Sequence, residues 1–178
     1  MDAHRPLSAL TAALDRIRES PKDDGRVELI VCRPDFDDRK VLDEGRLDPV
    51  VGLVGDGWSV RDKHPDPDVQ LTLMNARAIA EIAQSKHRWP LAGDQLFVDL
   101  DLSLANLKPG TRLQIGTAVI RVSAAPHTGC RKFIARFGVD AQKCVNSPQG
   151  RALNLRGINA RVVTGGVVKP GDRIVVMR

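Results

Sequence analysis

The sequence contains no tyrosine, and its only aromatic residues are four phenylalanines and two tryptophans. Reading single-stranded nucleic acid relies on rings for base stacking, so a nucleic-acid partner is not expected. The core must rest on Val, Leu, Ile and Ala, which dominate a hydrophobic fraction of 42%. Cys32, Cys130 and Cys144 are too few and too scattered for a disulfide scaffold, and their odd number fits a reducing compartment. No apolar run approaches the length needed to cross a bilayer. The N-terminus, Met1 to Pro6, leads into an amphipathic stretch rather than a signal peptide. These absences predict a cytoplasmic protein without a membrane partner, large enough for one sizeable core or two small ones.

Charge is unevenly spread. From His127 to the C-terminus ten basic residues face only Asp140 and Asp172, so that segment carries +8 and the preceding residues −3. A basic half suits an anionic ligand such as a phosphorylated cofactor, although a solvated basic surface has the same composition.

Leu7, Leu10, Leu14 and Ile17 recur at helical spacing and predict a short amphipathic helix closed by Ser20-Pro21. Arg26 to Cys32 reads as the first strand, which makes Cys32 a core residue. Asp35 to Asp48 reads as a charged, solvated loop, because its carboxylates lack the spacing of a calcium loop. Val50 to Trp58 reads as a strand broken by glycines. Gln70 to Met74 is a further strand, and Asn75 is a good N-cap for a helix carrying Ile79, Ile82 and Ala83. Gln95 to Leu102 alternates, with Leu96, Val98, Leu100 and Leu102 facing inward and Phe97, Asp99 and Asp101 on an open face. Lys108-Pro109-Gly110 and Lys169-Pro170-Gly171 each read as a type II turn opening a strand. Many short strands with about four short helices point to a mainly β fold, a barrel with helical insertions.

The stretch richest in chemistry runs from Pro126 to Gly138. A strand-like run, Ala118 to Val122, leads into it, and Phe133, Ile134 and Phe137 give the following helix an apolar face. This places Thr128 or Gly129 at the N-cap, Cys130 in the first turn, and Gly138 at the helix stop. Free backbone N–H groups, with Arg131, Lys132 and His127 nearby, favour thiolate over thiol. Cys130 is therefore the candidate reactive atom, set against the alternative that it is a small packed hydrophobe. A structural zinc site formed by His127, Cys130 and Cys144 lacks an evident fourth ligand.

Taken together, Gly93-Asp94-Gln95-Leu96, Asn106-Leu107, Gly110, Leu113-Gln114-Ile115-Gly116 and Pro126-His127-Thr128-Gly129-Cys130 resemble the MOSC domain, the C-terminal module of molybdenum-cofactor sulfurases. The resemblance covers about residues 25–178 and leaves residues 1–24 as an N-terminal helical extension. It implies a β-barrel linked to molybdenum-cofactor or sulfur-transfer chemistry. Cys130 takes the position of a metal ligand or persulfide carrier, and a thiolate is a soft donor suited to either role. The resemblance also implies cofactor contacts from His127, Thr128, Gly129, Arg131, Lys132, Arg136 and Asn106, with the cations serving an anionic pterin phosphate. A cysteine desulfurase would be the sulfur donor.

Two departures from the family pattern stand out. His64-Pro65-Asp66 replaces the His-Gly-Gly of many relatives. The aminotransferase-like domain of fused sulfurases is missing, so their pyridoxal phosphate is not expected here. Two function classes follow. One is a stand-alone domain that binds molybdenum cofactor through Cys130, carrying sulfur or supporting reduction of small N-hydroxylated or oxidised substrates. The other is a non-catalytic module that docks an anionic ligand or protein.

Overall fold

The computed structural model describes residues 4–178. Its first four strands are β1 (Asp24–Cys32), β2 (Lys40–Leu42), β3 (Gly45–Asp48) and β4 (Gly52–Leu53). Then come β5 (Leu71–Asn75), β6 (Leu96–Asp99), β7 (Arg112–Ile115) and β8 (Ala118–Val122). The last three are β9 (Ile158–Thr164), β10 (Gly166–Val168) and β11 (Arg173–Met177). Between them lie α1 (Leu7–Ala12), α2 (Leu14–Arg18), α3 (Trp58–Arg61) and α4 (Ala76–Ala83), then α5 (Arg131–Phe137), α6 (Val139–Asn146) and α7 (Pro148–Ala152).

Strands β11, β7, β8, β9, β5, β6 and β1 pair side by side, and the start of β1 returns to β11 to close a seven-stranded barrel. All its pairings are antiparallel except β5 with β6. Closure leaves the barrel no free edge for other chains to pair with. Strand β2 extends the far end of β1, and β3, β4 and β10 form a small separate sheet. The two Pro-Gly turns form as expected: Gly110 and Gly171 have φ of +93° and +91°, where a Cβ would be strained.

Two cores share one wall. Inside the barrel pack Val27, Ile30, Leu71, Leu73, Leu96 and Val98, with the inward residues of β7, β8, β9 and β11. Outside it, Leu29, Val31, Met74 and Phe97 meet α1, α2, α4, α5 and α6 through Leu10, Leu14, Ile79, Ile82, Phe133 and Phe137. A bulge between Val27 and Leu29 switches the phase of β1, so that Val27 and Ile30, three apart, both face the barrel interior. Phe133 and Phe137 are each almost fully buried, their rings 5.0 Å apart, and each burial contributes on the order of 2 kcal/mol.

Several expectations change. Phe97 is fully buried rather than on an open face, because the helical layer covers that side of β6. Asp99 is held by Arg77, Nε to Oδ1 at 2.8 Å. The supposed loop from Asp35 to Asp48 contains β2 and β3, whose short, mostly exposed pattern gives little periodic signal. Only Gly52–Leu53 of the glycine-broken run pairs as a strand, and Trp58 begins a helix. Seven α-helices and two 3-10 turns replace the expected four helices among the described residues. Residues 4–23 of the expected extension place α1 and α2 against the outer core, and residues 1–3 lie outside the described residues. Among the described residues no helix is long and apolar enough to cross a membrane.

Candidate functional site

The turn between β8 and α5 is tied down at three points. From β9, the Asn159 amide donates to the carbonyls of Ala125 at 3.1 Å and Pro126 at 3.3 Å. His127 Nε2 lies 2.8 Å from Asp94 Oδ1. From α6, Asn146 clamps the backbone of Gly129, accepting from its N–H at 3.1 Å and donating to its carbonyl at 3.4 Å. A Cβ on Gly129 would stand 3.0 Å from Val145 Cγ2, so the Val145 side chain would have to give way to any larger residue here.

The N-cap of α5 is Cys130 itself, with extended backbone (φ −111°, ψ 179°), rather than Thr128 or Gly129. The shift matters, because a capping side chain is the one aimed back at the free N–H groups of the first turn. No full side-chain hydrogen bond closes the cap. Burial pushes the Cys130 thiol up, but the Phe133 and Lys132 N–H groups and the Arg156 charge outweigh it and hold the thiol below its ordinary value. Cys130 is exposed, whereas Cys32 and Cys144 are buried and burial raises both. Gly138 ends α5 as expected, with φ +88°, a conformation that favours glycine.

Behind the turn lies a buried charge cluster. Asp94 is fully buried and accepts from Arg156 Nη1 at 2.6 Å, while Arg156 Nη2 donates to the Ala92 carbonyl at 2.9 Å. Burial alone would raise the Asp94 carboxyl, yet the Arg156 and His127 charges and hydrogen bonds lower it to about 2. The Arg156 guanidinium also stacks 5.0 Å from the Phe133 ring, and its Nε is buried without a partner among the described residues. Gly157 completes the packing at φ +113°, where any Cβ would collide with the Leu73 carbonyl oxygen and crowd the His127 ring.

A cleft of about 470 Å³ opens beside this cluster. His127, Thr128, Asn146, Arg151, Arg156 and Asn159 form its polar wall, and Leu107, Pro109 and Val122 close its apolar end. A larger open groove of about 980 Å³ crosses β7, β10 and β11, and no residue of the cysteine turn lines it.

The structure therefore gathers His127, Thr128, Gly129 and Cys130 into one turn, with Arg131 exposed just beyond. Lys132 instead sits 3.9 Å over the Phe36 ring. Arg136 is committed to the Leu91 carbonyl at 2.7 Å and Asp37 at 2.6 Å. Asn106 donates to the Lys22 and Asp101 carbonyls, both at 2.8 Å, and accepts from Arg178, and it does not line the cleft. His64 is exposed on the loop after α3. Among the described residues no group of three or more potential ligands could hold a metal, so His127, Cys130 and Cys144 form no zinc site. Asp94, Arg156, Asn146 and Asn159 are site residues that the sequence alone does not single out. Asp94 stood in the Gly93-Asp94 motif and Arg156 in the basic segment, but their pairing spans 62 positions and leaves no local pattern.

The barrel has solved counterparts. The YuaD protein from Bacillus subtilis is 19% identical with a TM-score of 0.58, covering 86% of this chain and 95% of its own. YiiM from Escherichia coli is 23% identical with a TM-score of 0.55, covering 86% of this chain and 70% of its own. YiiM from Geobacillus stearothermophilus is 15% identical with a TM-score of 0.56, covering 89% of this chain and 75% of its own. At these identities the likeness establishes the fold. No curated protein matches the chain. The family model of the MOSC domain matches residues 61–175, a span holding Asp94, the cysteine turn and Arg156, and the chain therefore belongs to the MOSC domain family.

Proposed function

We propose that the cleft beside Cys130 binds molybdenum cofactor, with the Cys130 thiolate as the protein's ligand to the metal. The observation that carries this reading is an exposed cysteine, held towards thiolate, two residues along the chain from Thr128, which lines a cleft with a cationic wall. The donor set fits the group. A thiolate is a soft ligand for molybdenum. Asn146, Asn154 and Asn159 offer hydrogen bonds along the cleft wall, and the exposed Arg151 suits a phosphate. The partnerless Nε of Arg156 leaves one buried donor with spare capacity.

When bound, the cofactor supplies two-electron redox chemistry at molybdenum, the basis for reducing small N-hydroxylated or oxidised substrates. The chain's own residues set the surroundings. Asp94 is a carboxylate at neutral pH and holds Nε2 of His127 as a donor, which fixes the orientation of the ring. Arg156 biases Cys130 towards the charged form that binds metal.

The exposure of Cys130 favours a second role for the same sulfur, as a carrier. Its thiolate would attack the outer sulfur of a persulfide on a donor such as a cysteine desulfurase. A new S–S bond forms at Cys130 as the donor's S–S bond breaks, and the donor leaves as a thiolate that takes up a proton.

The test is to express the protein with the cofactor available and measure bound molybdenum, with Cys130→Ala as control. Equal metal in both removes the ligand role. Intact-protein mass spectrometry reads the carrier role as one added sulfur, lost in Cys130→Ala. A Cys130 that alkylates slowly and titrates like free cysteine would instead favour a non-catalytic binding module.

A further inference from the structure

Most arginines of this protein are engaged, by carboxylates, backbone carbonyls or rings. Three that are not stand in a row. Register pairs Arg112 of β7 with Arg121 of β8, and Arg121 with Arg161 of β9. Their neighbours Leu113, Ile120, Val122, Ala160 and Val162 point into the barrel, so all three arginines point out. The α-helical layer packs on β1, β5 and β6, while the 3-10 turn Pro67–Val69 packs against β9 and its Asp68 carbonyl accepts from Ser123 Oγ. None of the three makes an ion pair or side-chain hydrogen bond with the described residues. Like charges directly opposite each other across strands are destabilising. No carboxylate of the described residues comes within ion-pair distance of the row.

We propose that the row is a docking surface for an acidic partner protein. Adjacent strands lie about 4.8 Å apart, so the three guanidinium stems span about 10 Å across the sheet. Glutamates at i and i+4 on an α-helix have Cβ atoms about 6 Å apart, close enough to the strand spacing for flexible arginine side chains to reach successive turns of an acidic helix. The row is all arginine, the cation that forks onto carboxylates and is enriched at protein interfaces where lysine is depleted. Around it lie half-exposed Val119, Val163 and Val175 and the exposed Met177, also an interface composition. A nucleic acid is disfavoured because this face carries no ring on which a base could stack.

The place of the row adds a use. Val122 and Asn159, which line the cleft, are one and two residues from Arg121 and Arg161, and Pro109 precedes Arg112 by three. A partner seated on the row therefore borders the cleft mouth, where a donor of sulfur or electrons has to reach. The docking claim itself does not depend on molybdenum being bound.

The experiment uses a fluorescein-labelled, alanine-based helical peptide with glutamates at i, i+4 and i+8, and its glutamine twin. Anisotropy is read at about 50 and about 300 mM NaCl, because exposed ion pairs weaken with salt. The wild type should bind the glutamate peptide, more weakly at high salt, and the triple variant Arg112→Gln/Arg121→Gln/Arg161→Gln should bind at least about tenfold more weakly. The triple variant should melt no lower than wild type, since repulsion has been removed. Should it not fold, Arg121→Gln alone should lose about threefold. The proposal is overturned by equal binding of variant and wild type, by equal binding of the two peptides, by no binding at all, or by a thymidine oligonucleotide binding more tightly than the peptide.

Discussion

Replacing Asp94 by Asn tests the buried cluster that seats the cysteine turn. The carboxyl, fully buried, is lowered from 3.8 to about 2, and at about 1.4 kcal/mol per pKa unit that favours the folded state by roughly 2–3 kcal/mol. The variant also leaves Arg156, 6% exposed, as a buried cation facing a neutral amide. Breaking a buried pair by removing one partner commonly costs about 3–5 kcal/mol, so Asp94→Asn should cost about 3 kcal/mol at pH 7. For a chain of this size the melting temperature should fall by about 10 °C. The sign of the pH dependence is set by the depressed pKa. The stabilisation is present above the unfolded-chain value and is lost as pH falls through about 2. Urea unfolding of both proteins at a series of pH values should therefore show a constant gap above about pH 5 that narrows towards pH 2. Taking the difference cancels the other carboxylates, which titrate in both. A gap below about 1 kcal/mol at neutral pH, or one that does not narrow in acid, would refute the account.

Other consequences can be checked with similar means. In the native protein Cys130 should alkylate with a midpoint below that of a free thiol, while Cys32 and Cys144 stay silent, and a midpoint at or above the free-thiol value contradicts the capping argument. Asn146→Ala removes both ties to the Gly129 backbone and should lower stability by about 1–2 kcal/mol in urea, with a broader range of Cys130 labelling rates. Gly157→Ala meets both a φ of +113° and the Leu73 carbonyl, and should lose at least about 3 kcal/mol or fail to accumulate folded protein. Arg121→Gln should raise stability by about 0.5 kcal/mol, and a loss in thermal melting would show that the row helps hold the sheet.

What the residues disclose on their own depends on how local the cause is. The inward alternation of Leu96 and Val98 and the Asn75 cap follow from neighbours in the chain, and both are present, the cap closing on the Ala78 N–H at 2.9 Å. The Pro-Gly turns are equally local, since only glycine tolerates their positive φ. Phe97 breaks the pattern because its cover comes from helices elsewhere in the chain, which period-two alternation cannot foresee. Cys130 was recognisable from the glycine before it and the apolar helix after it, but the cap position depended on Asn146 holding Gly129 from α6. The Asp94–Arg156 pair and the arginine row are invisible in one dimension, because barrel closure and strand register bring their members together. Arg136 and Lys132 are near the cysteine in sequence, yet the helix carries them away to Asp37 and Phe36.

Because β1, β5 and β6 send side chains into both cores, neither the interior nor the helical coat can be dismantled by itself. Amides of Leu71–Asn75 and Leu96–Asp99 should then exchange with deuterium only through whole-molecule opening, as one foldon with the α5 helix that Phe133 and Phe137 anchor. Hollowing the barrel at Leu73 would loosen the seat of a sulfur that it never touches.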